Sequence, residues 1–129
     1  MYIATLVDDI ARVIDRLREE RGDFFLAMLY SRDEDADGNW NLIVSAPWVN
    51  ELGKIEATSV VARALSEGLG FENKSSITRI TALPTTDPFV QQVTFYAGGV
   101  SLPHSVPVRN LSFAGVPIGS GVVFFSRPI

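Results

Sequence analysis

Residues 23–46 read DFFLAMLYSRDEDADGNWNLIVSA, and the fold turns on how this stretch is read. Phe24-Phe25-Leu26-Ala27-Met28-Leu29-Tyr30 is its longest apolar run. Apolar side chains stand at both parities, as in a strand covered on both faces. Leu, Ala and Met favour a helix, but the run is short and Gly22 breaks the chain before it, so strand is the preferred reading over 23–31. Asp33 to Asn39 is polar and contains Asp37-Gly38, a hairpin signal. Trp40 to Ala46 then alternates, with Trp40, Leu42, Val44 and Ala46 on one side and Asn41, Ile43 and Ser45 on the other. Pro47 ends it. The two strands are expected to pair antiparallel.

Upstream, Ile3, Leu6, Val7, Ile10, Val13, Ile14 and Leu17 fall at steps of three and four, one stripe of an α-helix over 3–21. Asp8–Arg12 and Arg16–Glu20 are four apart and are expected to pair. Gly22 is the stop. Downstream, Glu51 to Glu67 reads as a second helix with Asn50 as N-cap and the Gly68–Gly70 region as its end. Ser76 to Leu83 is a third strand. Asp87-Pro88 is a helix start, cap followed by proline, and this third helix runs to Ala97 before Gly98-Gly99. Val108 to Phe113 and Pro117 to Ser126 are the last strands, joined at Ala114-Gly115. Gly119 and Gly121 suggest a bulge or a close backbone approach in the last of them. The expected fold is one α+β domain over 1–129. It has a single sheet of about five strands, mixed or mostly antiparallel, and two to three helices mainly on one face, in the order α-β-β-α-β-α-β-β.

The composition has ample material for a core and little for catalysis. Of the 129 residues 47% are hydrophobic, with no cysteine and one histidine, His104. Thiol redox chemistry, cysteine-based zinc sites and a disulfide framework are excluded. No uninterrupted apolar run approaches the ~20 residues of a membrane-spanning helix. Asp8 and Asp9 stand where a signal peptide needs apolar residues, so a cytoplasmic protein is expected. The net charge of −4 argues against nucleic acid as a partner. Charge is uneven along the chain: residues 1–72 carry a net −7 and residues 73–129 a net +3.

Motifs that carry chemistry are sparse. Asp33, Asp35, Asp37 and Gly38 resemble positions 1, 3, 5 and 6 of an EF-hand calcium loop. The bidentate glutamate of position 12 would be Val44, so these aspartates form a weak metal candidate and read better as an acidic turn. Gly115, Gly119 and Gly121 lack the lysine and the following helix of a phosphate loop. His104 lies in a loop with no carboxylate nearby in sequence. The candidate ligand-binding residues are Arg79, Arg109, Trp48, Tyr96 and His104. Arginine on a strand can hold a carboxylate or phosphate bidentately, and aromatic residues at element ends often border small-molecule sites. No catalytic residue and no cofactor are assigned.

The function reading follows from counting layers. Three helices can cover one sheet face, yet Phe24–Tyr30 and Val122–Phe125 are apolar on both parities. A homodimeric binding or regulatory protein, without catalytic machinery, would cover the second face with a partner subunit. The alternative is a small-ligand-binding domain or enzyme, with a cavity for a small anionic ligand lined by Trp48, Tyr96, Arg79 and Arg109.

Overall fold

The computed structural model describes residues 3–32, 40–101 and 104–127. Its elements are α1 (Ile3–Arg21), β1 (Leu26–Ser31), β2 (Trp40–Ser45), α2 (Pro47–Leu52), α3 (Lys54–Gly68), α4 (Phe71–Ser76), β3 (Ile77–Leu83), α5 (Pro88–Ala97), β4 (Val106–Phe113) and β5 (Val116–Ser126). The class is α+β, with one five-stranded mixed sheet in the order β3-β2-β1-β5-β4. β1 pairs antiparallel with β2 and with β5, β4 pairs antiparallel with β5, and β2–β3 is parallel.

The doubly apolar run is the central strand. Ala27 and Leu29 enter one buried cluster, with Leu6, Ile10, Val13, Ile14 and Leu17 of α1 and Ala57, Val61 and Leu65 of α3. Leu26 and Met28 enter a second cluster on the opposite face, with Phe89, Val90 and Val93 of α5 and Val108, Phe113, Ile118 and Val123 of the last hairpin. Here the structure departs from the layer count. α1, α2 and α3 share one face, while α5 lies on the other and covers apolar side chains that otherwise needed a partner subunit. The molecule has three layers of its own.

The acid–base pairs on α1 also differ from expectation. Arg12 pairs with Asp9, and Arg18 with Asp15 at 2.6 Å, three residues apart rather than four. Both spacings place side chains on neighbouring turns. The hydrogen bond and charge of Asp15 push the exposed Arg18 guanidinium above its ordinary pKa.

The second helix is two helices, and α4 stands before β3, so the described residues form five helices where two to three were expected. Gly53 takes φ +89° between them, and Pro47 opens α2 rather than merely ending β2. Asn50 caps nothing. Its amide pairs with Thr85, donating to Oγ1 at 2.9 Å and accepting from the backbone N–H at 3.1 Å.

In the last hairpin, Val108 and Phe113 are five apart yet reach the same cluster, as do Ile118 and Val123. A regular strand would send them to opposite faces. The irregularity lies between them, where Asn110 takes φ +54°. Gly121 permits a close approach of β5 to β1: a Cβ there would lie 3.1 Å from Leu29 O and 3.2 Å from Tyr30 Cβ.

Candidate functional site

α5 begins as the sequence indicates. Asp87 Oδ1 accepts from Phe89 N at 2.8 Å, and Pro88 takes the first helical position, where a missing N–H costs nothing. The inner face of the helix carries Phe89, Val90, Val93 and Thr94, all buried. Phe89 packs edge-on against Phe113, ring centroids 6.1 Å apart, and obliquely against Tyr30 at 6.2 Å.

The outer face is unusual for a water-facing surface. Phe95 is 77% exposed and Tyr96 50% exposed. The Tyr96 ring meets Phe113 edge-on at 5.6 Å. Gln91 and Gln92, one turn earlier, are held by backbone groups. Gln91 Nε2 donates to Thr85 O at 2.6 Å, and Gln92 Oε1 accepts from Ala114 N at 2.7 Å. Among the described residues, no partner stands at the other end of either amide, the Gln91 carbonyl oxygen or the Gln92 NH₂ group. These four side chains, with Phe25, Thr94, Phe113 and Arg127, line an open groove of about 1000 Å³. Arg127 is its one charged lining residue among the described residues, with the guanidinium 5.6 Å from the Phe25 ring centroid. The groove can hold an apolar or aromatic body and offers a cation at its edge.

Of the residues singled out in the sequence, Tyr96 lies in this groove. Trp48 is buried on the opposite side of the sheet. It lies edge-on to Phe24 at 5.7 Å, has the Arg21 guanidinium 5.8 Å from its ring centroid, and leaves its indole N–H unpartnered among the described residues. Arg79 and Arg109 are exposed on β3 and β4, the two edges of the sheet. Four interstrand spacings separate those edges, roughly 19 Å. The structure does not bring Trp48, Tyr96, Arg79 and Arg109 into one cavity. His104 is exposed in the loop before β4, its backbone N–H donating to Ser101 O at 2.9 Å. Asp33, Asp35 and Asp37 lie outside the described residues.

Sequence reasoning passed over Phe25, Gln91, Gln92, Phe95, Phe113 and Arg127. One signal was present. The inner stripe of α5 is 89, 90, 93, 94 and 97, and Phe95 falls off it, an aromatic residue on the polar side of an amphipathic helix. Arg127 and Phe25 come from segments distant in sequence, joined because Arg127 N donates to Phe25 O at 3.0 Å beside the β1–β5 pairing. Among the described residues no three His, Asp or Glu side chains gather as a metal site would require, and no helix is long and apolar enough to cross a membrane. Comparisons with known protein families, curated proteins and solved structures gave no match.

Proposed function

We propose that this chain is a non-catalytic binding or regulatory protein that works as a homodimer in the cytoplasm, and that the outer face of α5 is its self-association surface. The observation that carries this reading is the exposed Phe95–Tyr96 pair beside a groove with a single charged lining residue. Aromatic enrichment and charge depletion mark the centre of protein interfaces rather than ordinary surface. A projecting ring next to a hollow on one surface is also self-complementary, as a two-fold contact demands. Fully burying a phenylalanine side chain is worth ~1.5–3 kcal/mol, and a two-fold contact buries the Phe95 of each copy. The cysteine-free composition suits a reducing compartment.

Light scattering tests this reading. At ~100 µM, well above a micromolar dissociation constant, the expected mass is twice the 14.1 kDa of one chain. Phe95→Asp is expected to give single chains with an unchanged circular dichroism spectrum. A wild-type mass of one chain at that concentration, or a dimer indifferent to Phe95→Asp, would refute it.

The position of Arg127 favours a second reading, a small aromatic carboxylate lying in the same groove. Benzoate would then raise the melting temperature of a monomeric protein, and Arg127→Gln would abolish that rise.

A further inference from the structure

The largest apolar anomaly outside the α5 groove is Ile55, 86% exposed in the first turn of α3. It borders a cleft of about 480 Å³ lined by Lys54, Ile55, Thr58, Ser59 and the β3 residues Arg79, Ile80 and Thr81. Ile80 packs toward the α1–α3 cluster, and its strand neighbours Arg79 and Thr81 alternate to the other side. A cleft that all three line must run along the open edge of β3, not over one face. Of its three hydroxyl residues, the two on α3 are already engaged: Thr58 Oγ1 accepts from Ala82 N at 3.3 Å, and Ser59 Oγ donates to Ile55 O at 3.2 Å. The two cations are not so engaged. No acidic residue lines the cleft, and neither Lys54 nor Arg79 pairs with a carboxylate among the described residues.

We infer that this edge cleft is a docking surface for an extended acidic peptide segment of another protein, with carboxylates at Lys54 and Arg79 and an aliphatic side chain against Ile55 and Ile80. The argument is charge complementarity joined to an unpartnered aliphatic surface. A local pair of cations stands on a chain of net charge −4, so whatever it attracts is selected at short range, within a Debye length of ~8–10 Å. Nucleic acid fits poorly, because a phosphate backbone calls for a longer basic stripe and makes no use of an exposed isoleucine. A second copy also fits poorly, because an acidic helix of one chain against this edge of the next is a head-to-tail contact that keeps adding subunits. The site is separate from the α5 face, and neither reading depends on the other.

The probe is a fluorescently labelled peptide of alternating glutamate and isoleucine, about eight residues long to span the seven residues of β3. Binding to the full-length protein is measured by anisotropy at low and high salt. The expected result is saturable binding that weakens as salt rises. Arg79→Glu and Lys54→Glu should each weaken it about tenfold or more, and Ile55→Ser by about fivefold. A glutamate–serine peptide should bind worse than the glutamate–isoleucine probe. Arg109→Glu, on the opposite edge, and Phe95→Asp, on α5, should leave affinity unchanged. The inference is overturned by any of four results: no binding at millimolar protein, equal loss in Arg109→Glu, insensitivity to Arg79→Glu, or a single-stranded DNA oligomer binding better than the peptide through Arg79.

Discussion

Ala114 sits at φ +51° and Gly115 at φ +80°, a two-residue turn between the paired Phe113 and Val116. Both central residues of a type I′ hairpin turn need positive φ, which matches the twist of the flanking strands. Glycine does this freely, whereas alanine in the left-handed region carries a penalty of roughly 1–2 kcal/mol. Ala114→Gly should therefore stabilise the protein by about 0.5–1 kcal/mol after the extra entropy of the unfolded chain is deducted. The melting temperature is expected to rise by a few degrees, and a fall would show that the turn is held by other means. The turn was legible because Gly115 lies between two strand patterns. The positive φ at Ala114 was not, since it follows from the pairing of Phe113 with Val116 across two residues, and that at Asn110 was not, since it lies inside a continuous strand pattern. Gly119 and Gly121 were legible as a bulge or a close backbone approach, and the close approach is found at Gly121. That Leu29 O lies 3.1 Å from its absent Cβ depends on which strand is its neighbour.

At the scale of elements, helices with a clear stripe and a clear boundary were read correctly. In α1, Leu6, Ile10, Val13, Ile14 and Leu17 are all buried. Ile10→Asp would place a carboxylate at a site 0% exposed, among apolar neighbours. The expected loss is several kcal/mol, enough to unfold a domain of ordinary stability. An unchanged thermal transition would show α1 to be peripheral. α5 allows a finer test. Removing the Asp87 cap with Asp87→Ala should cost about 1 kcal/mol, whereas Asp87→Asn, which still accepts from Phe89 N, should cost a small fraction of that. The split between α2 and α3 was missed for a physical reason. Asn50 is a good cap by type, but a cap must compete with other acceptors and donors, and Thr85, 35 residues away, wins both ends of the amide. Nothing local to Asn50 announces Thr85.

At the scale of the molecule, the fold class and sheet size were legible, but the extra helices α2 and α4 and the placement of α5 were not. Which side a helix takes depends on the strands it connects, and here α5 links β3 at one edge with β4 at the other. The site suffered the same fate. Arg79 and Arg109 looked equivalent in sequence because both interrupt strand patterns, and only strand order reveals that they occupy opposite edges. The shared central strand has a consequence that can be measured. Met28 and Leu29 are adjacent, both 0% exposed, and belong to opposite clusters. Each truncation to alanine should cost ~2–5 kcal/mol. Both tryptophans, Trp40 and Trp48, are buried on the α1–α3 side, so their fluorescence reports that side alone. If β1 couples the layers into one cooperative unit, Met28→Ala must shift the urea midpoint of tryptophan fluorescence as far as that of far-ultraviolet circular dichroism, although Met28 faces away from both indoles. Coincident transitions are the mark of two-state unfolding. A fluorescence midpoint left at its wild-type position while the dichroism transition moved or split would mean that α5 and the last hairpin melt as a unit of their own. The three layers would then be two domains sharing a sheet.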